Sequence, residues 1–198
     1  MSLSAPPPPL WVFLPLPRGT KAEPLAREWL AQQLGGTADT LPLLRDGRGR
    51  PRLGAPFDLT DCNWSHSGDG LVVALGTGVQ VGIDLEWLRP RPRATALARR
   101  FFHPAEADWI ESFPLETRPT AFTRLWCAKE AVLKAHGHGL SFGLDRLRLE
   151  DDGEHIRLVD CDPALGRPGE WALTLLEPAP GYVGALAWRR PMAAPATS

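Results

Sequence analysis

Residues 82–86 read Gly-Ile-Asp-Leu-Glu, and residues 126–134 read Trp-Cys-Ala-Lys-Glu-Ala-Val-Leu-Lys. The first stretch alternates as a strand does: side chains two apart share a face, so Asp84 and Glu86 project together while Ile83 and Leu85 point into the opposite layer. The second has the period of a helix, which sets Trp126, Glu130 and Lys134 in one row at i, i+4 and i+8. Lys129 turns roughly 100° away from that row. A strand and a helix, each carrying carboxylates, suit an α+β chain, and if the two meet in the fold, Asp84, Glu86, Glu130 and Lys134 converge. Such a cluster suits a divalent cation held on a pyrophosphate, because a hard cation takes oxygen ligands and keeps waters while bridging substrate phosphates. Taken singly, Asp84 and Glu86 also fit an exposed acidic strand end, and Glu130 and Lys134 a surface ion pair.

Working outward, Leu10 to Leu16 reads as a first strand, with Pro15 at an edge or an end. A helix from Ala22 to Leu34 carries Leu25, Trp29 and Leu34 on an apolar stripe and stops at Gly35-Gly36. Asp46 to Leu53 (DGRGRPRL) is a basic turn whose arginines suit either a phosphate or solvent. A strand is expected to end at Trp64-Ser65. His66, flanked by Ser65 and Ser67, then faces a phosphate or sits satisfied within a turn. No G-x-S-x-G elbow accompanies these serines. Leu71 to Leu75 and Val79 to Leu85, separated by Gly76-Thr77-Gly78, read as a hairpin.

Helix follows from Arg93 to Phe113, interrupted at His103-Pro104 because proline starts a helix better than it continues one. A longer helix runs from Pro119 to His136 and stops at Gly137 or Gly139. Strands at Leu144 to Glu150, His155 to Val159, Trp171 to Glu177 and Tyr182 to Trp188 complete the chain. The order suggests two α+β halves, 10–90 and 91–190, meeting near Leu88 to Arg93, with 1–9 and 191–198 as flexible termini.

The 198 residues are 43% apolar and 23% charged, which is globular and needs no staples. A formal charge of −1 leaves no basic footprint for nucleic acid. Five arginines nevertheless fall between Arg89 and Arg100, a segment fit for an acidic partner or for solvation. Cys62, Cys127 and Cys161 form neither a disulfide framework nor a zinc motif, which fits a reducing, cytoplasmic setting. No apolar run is long enough to span a membrane. Of only three lysines, two lie in the 126–134 stretch, as expected where a compact ammonium is wanted.

Gly49-Arg50-Pro51, Asn63-Trp64-Ser65-His66-Ser67, Gly82-Ile83-Asp84-Leu85-Glu86 and Trp126-x-x-Lys129-Glu130-Ala131-x-x-Lys134, taken in this order, resemble the surfactin-synthetase-activating type of 4′-phosphopantetheinyl transferase. The resemblance covers Asp46 to Leu140 well, and Gly139-Leu140-Ser141 continues it. Elsewhere only the strand pattern agrees. It implies a single chain folded as two similar α/β lobes related by pseudo-twofold symmetry, with the site in the cleft between them.

The resemblance further implies transfer of the phosphopantetheine arm of coenzyme A to a serine of an apo acyl, peptidyl or aryl carrier protein, as in fatty acid, polyketide and nonribosomal peptide biosynthesis. Asp84, Glu86 and Glu130 would hold Mg²⁺, with Mn²⁺ as the alternative ion. Glu130 would help remove the serine proton and Lys134 would neutralise the pyrophosphate. Arg50, where the family often has lysine, would contact coenzyme A phosphates together with Ser65 and His66. Arg89, Arg91, Leu97, Arg100, Phe101 and Phe102 would form the docking edge for an acidic carrier, and the protein would be a monomer. The family's longer basic segment before the first helix is missing here, where only Arg18, Lys21 and Arg27 stand. The same residues also accommodate a coenzyme A or nucleotide binding module without turnover, or a Mg²⁺-dependent phosphohydrolase.

Overall fold

The computed structural model describes residues 7–191 and is α+β, as the alternation of strand and helix patterns predicts. Leu10–Pro15 forms β1, an edge strand in which Pro15 takes the last position and so costs no ladder bond. It pairs antiparallel with β5 (Gly70–Thr77), whose other edge pairs with β4 (Thr60–Ser67). The second sheet repeats the plan: β6 (Gln80–Trp87) pairs with β10 (Tyr182–Arg189), and β10 with β9 (Ala172–Leu176). Within each sheet the first strand of that half lies beside its last.

Each half also inserts helix and a small hairpin between its first and penultimate strands. In the first these are α1 (Ala22–Gln33) with β2 (Leu43–Arg45) and β3 (Pro51–Leu53). In the second they are α2 (Ala94–Phe101), α3 (Pro104–Glu111) and α4 (Arg118–His136), with β7 (Leu147–Asp151) and β8 (Ile156–Cys161). The twofold likeness is thus one of strand order, with no sequence repeat behind it.

Two expectations change. The hairpin foreseen across Gly76-Thr77-Gly78 does not form, because β1 and β4 already occupy both edges of β5. Gly78, at φ 69°, instead turns the chain out of the first sheet. Consequently β6, expected to close a lobe spanning 10–90, is hydrogen-bonded to β10 and opens the second sheet. The flexible termini foreseen at 1–9 and 191–198 fall mostly outside the described residues, although Pro9 is buried, with Gly76 beside it.

Both faces of β5 are covered. Leu71, Val73 and Leu75 pack on Ala26, Leu30 and Ala31 of α1, with Leu25, Trp29 and Leu34 around them. Val72 and Ala74 join Val81, Ile83 and Leu85 of β6 in a second cluster between the sheets. The predicted helix stops hold: Gly35 (φ 72°) follows α1 and Gly137 (φ 88°) caps α4. At the foreseen break, His103 caps α3, and Glu106 reaches back to the His103 amide at 3.0 Å. Among the described residues no helix is long and apolar enough to cross a membrane.

Two edge strands, β4 and β6, meet where the sheets adjoin, and side chains close the seam. Asp61 Oδ2 accepts from the Val81 amide at 2.8 Å, Asn63 Oδ1 from Ile83 at 3.1 Å, and Ser67 Oγ from Trp87 at 3.0 Å. On its other face β6 lies directly on α4, because Gly82 has no side chain. A Cβ there would stand 2.0 Å from the Ala131 carbonyl oxygen and 2.4 Å from the Ala135 nitrogen, both backbone atoms that cannot give way. Gly82→Ala should therefore cost more than about 3 kcal/mol in urea unfolding, well above an ordinary surface change. A loss below about 1 kcal/mol would contradict this packing.

Candidate functional site

Strand alternation puts Gly82, Asp84 and Glu86 on the face of β6 that meets α4, and the missing side chain at Gly82 lets the helix row of Glu130 and Lys134 approach. Asp84, 5% exposed, accepts at Oδ1 from the Ser65 hydroxyl at 2.8 Å and from Lys134 Nζ at 2.7 Å. Lys134 also donates to Ser65 Oγ at 2.8 Å and to the Ile83 carbonyl at 3.3 Å. Asp84 Oδ2 is buried without a hydrogen-bond partner. Glu86 Oε2 accepts from the Ser67 hydroxyl at 3.2 Å and from an Arg91 terminal nitrogen at 2.8 Å.

Glu130 is 7% exposed. Burial raises its carboxyl to about 7, the Asp84 charge adds to the rise, Lys134 opposes it, and Glu86 raises it further. The ordinary cost of crowding carboxylates is thus carried partly by Lys134 and Arg91 and partly by a proton on Glu130.

Among the described residues no three acidic, histidine or cysteine side chains are gathered as a finished ligand set. Asp84 and Glu86 each hold a protein cation instead. The donor chemistry nonetheless fits a hard divalent ion: all three acidic groups are oxygen donors, and the orphaned Oδ2 of Asp84 is a buried acceptor.

Of the residues foreseen for the site, Ser65, Asp84, Glu86, Glu130 and Lys134 come together. The others stand apart from that group. Arg50 is buried, and all its N–H groups are engaged: a bidentate pair with Asp61 at 2.7 and 2.6 Å, and the carbonyls of Pro51, Val81 and Lys134. It has no donor left for a phosphate and instead ties the β2–β3 hairpin to the seam and to the end of α4. His66 lies within β4, which runs on to Ser67, so its side chain takes the opposite face from Ser65 and is exposed.

Phe102, foreseen at a docking edge, is 3% exposed and stacks on Phe122 at 5.0 Å. Leu97 is half-buried against the same core, whereas Arg89, Arg100 and Phe101 are exposed. Arg91 is drawn to Glu86, as described. Lys129, one residue before Glu130, is fully buried on Glu106 (2.7 Å) and on the carbonyls of Leu144 and Leu147. Trp126 packs on Phe122 and Phe102 at 5.7 and 6.4 Å and supports the helix from behind.

Asp61, Asn63 and Ser67 had not been foreseen as the residues that seat β6. Their signal is the period-two run Asp61, Asn63, Ser65, Ser67, a polar strand face whose partner is another strand's edge. Beside the Glu86 end, a groove of about 690 Å³ runs between Leu88–Pro92 and Leu115–Thr120.

A sequence profile of the 4′-phosphopantetheinyl transferase superfamily matches residues 80–186. The chain is 35% identical over 173 residues to the 4′-phosphopantetheinyl transferase HetI of Nostoc sp., covering 86% of this chain and 70% of that one. It is 38% identical over 135 residues to the 4′-phosphopantetheinyl transferase psf-1 of Bacillus pumilus, covering 67% and 54%. A 4′-phosphopantetheinyl transferase of Bacillus subtilis is 36% identical over 112 residues, covering 56% and 48%. The chain therefore spans about half the length of the two Bacillus relatives and 70% of the Nostoc one.

The raised Glu130 carboxyl has a sign that can be checked. Its folded value of about 7 exceeds the ordinary 4.5, so ionising it in the fold costs stability. That cost is absent below pH 4.5, grows between 4.5 and 7, and is complete above 7. Glu130→Gln should thus raise the metal-free protein's unfolding midpoint at pH 8 and not at pH 4.5, a gain on the order of 3 kcal/mol. An equal change at both pH values would contradict the assignment.

Proposed function

The chain belongs to the 4′-phosphopantetheinyl transferase superfamily, and we propose that it transfers the phosphopantetheine arm of coenzyme A to a serine of an apo carrier protein, releasing adenosine 3′,5′-bisphosphate. The observation that carries this reading is Asp84. It is a buried carboxylate with one oxygen held by Ser65 and Lys134 and the other unpartnered, set on β6 against the helix that bears Glu130.

Asp84, Glu86 and Glu130 would hold Mg²⁺, or Mn²⁺ in its place, and the ion would supply positive charge against the pyrophosphate. The serine oxygen attacks the phosphorus that carries the arm. Glu130, on the α4 side of the site, helps to remove the serine proton. Lys134 keeps its ammonium beside Asp84, where it neutralises the pyrophosphate and the departing bisphosphate. The Ser65 hydroxyl donates to the same phosphates. Exposed His66, on the other face of β4, serves a coenzyme A phosphate away from the ion.

The carrier docks on Arg89, Arg100 and Phe101, with Leu97 beside them, since exposed arginines and an aromatic suit an acidic helix-bearing partner. We place the protein in the surfactin-synthetase-activating class, as a cytoplasmic monomer. One chain supplies both the β6 and the α4 side of the site, which supports that reading.

Incubation with coenzyme A, Mg²⁺ and apo carriers of the fatty acid, polyketide and peptide kinds should add the mass of one phosphopantetheine arm to at least one of them. No gain on any carrier by folded protein would contradict the proposal. Coenzyme A binding alone would then indicate a binding module, and bisphosphate release without a carrier would indicate a phosphohydrolase. Asp84→Ala and Lys134→Ala should each slow transfer at least about tenfold, the order of one lost charge-assisted contact. Near-normal rates would remove these residues from the site.

A further inference from the structure

Among the described residues, two buried side-chain polar atoms lack a hydrogen-bond partner, Asp84 Oδ2 and Arg91 Nε. Both belong to this site. Asp84 is half open: Lys134 and Ser65 share its Oδ1, leaving Oδ2 available without displacing either. Glu86 is held in the same pattern, with the guanidinium of Arg91 and the Ser67 hydroxyl both on its Oε2, but its cation borders an open groove.

The pair is mostly withdrawn from water, with 18% of the Arg91 and 20% of the Glu86 side chain exposed. It is therefore stronger than a surface ion pair. Pro90 and Pro92 flank Arg91 and fix the backbone dihedral on either side of it. The same arginine lines the groove of about 690 Å³, which gives a displaced guanidinium room without rebuilding the fold.

We propose that Arg91 is a built-in counter-cation that masks Glu86 from the divalent ion in the free enzyme and swings toward the groove when the ion binds. The inference rests on the reading that Asp84, Glu86 and Glu130 hold that ion. A divalent ion and the Arg91 guanidinium are like charges drawn to one carboxylate, so the two would compete for Glu86. Arg91 is thus a positioning residue. It keeps Glu86 aimed into the site while no metal is present, at the expense of metal affinity.

Mn²⁺ binding to the enzyme without coenzyme A, followed by electron paramagnetic resonance, tests this. Arg91→Ala should bind Mn²⁺ about tenfold more tightly than wild type, the order of one charge-assisted contact removed. Arg93→Ala, which removes a neighbouring exposed charge, should bind with near wild-type affinity. In a Glu86→Gln background, Arg91→Ala should bring no gain. An equal gain from Arg93→Ala, or a gain that survives Glu86→Gln, would reduce the effect to general charge and overturn the masking. Arg91→Ala binding no more tightly than wild type, in an enzyme shown to take Mn²⁺ once coenzyme A is added, overturns this inference alone. Mn²⁺ bound by no form under either condition overturns the metal reading and this inference with it.

Discussion

The outer edge of β6 is closed by the side chains of β4, with no strand laid against it. Asp61 and Asn63 accept from the Val81 and Ile83 amides, and Ser67 from Trp87, so alternate residues of one strand satisfy alternate amides of the next. Each such bond is worth only about 1 kcal/mol net, but a buried amide left unpaired costs about 1–3 kcal/mol. That asymmetry makes the seam specific: a slip by one residue would present Cys62 and Trp64 to the same amides. The fourth residue of the set, Ser65, turns the seam into a site by donating to Asp84.

From this seam the charges arrange themselves. Arg50 neutralises Asp61 inside the fold, so a buried carboxylate can serve as an acceptor for β6 without remaining a lone charge. Lys129 and Glu106 form a second buried pair one residue from Glu130, joining α4 to the cap of α3 and, through the Glu106 bond to the Leu149 amide, to β7. Those pairs are complete in themselves. Around Asp84 and Glu130 the balance is left unfinished, with an orphaned oxygen and a carboxyl near neutrality, as expected where charge is to arrive with a ligand.

Much of the site could be read from periodicity. The two-residue repeat of Asp84 and Glu86 and the four-residue repeat of Glu130 and Lys134 each define a face, and the structure brings those faces together. Helix ends were legible wherever glycine takes a positive φ, as after α1 and α4. What escaped was set by long-range partners. Gly76-Thr77-Gly78 has the local chemistry of a hairpin, but β1, about sixty residues earlier, already holds the edge that β6 would need. Arg50 looked like a phosphate ligand because nothing local reveals that Asp61 is buried beside it. His66 parts from Ser65 because β4 runs on to Ser67, past the serine-histidine step that resembles a turn, and Phe101 and Phe102, neighbours at a helix end, part with one outward and one into the core.

Amide hydrogen exchange at Val81 and Ile83 tests the account at its centre. Both lie on the outer edge of β6, where an open strand would exchange quickly. If Asp61 and Asn63 close that edge, the two amides should be protected nearly as strongly as the central strand β5, and Asn63→Ala should expose Ile83 while leaving β5 protected. Rapid exchange at both positions in the unmodified protein would mean that the seam is open and that the site is assembled by some other means.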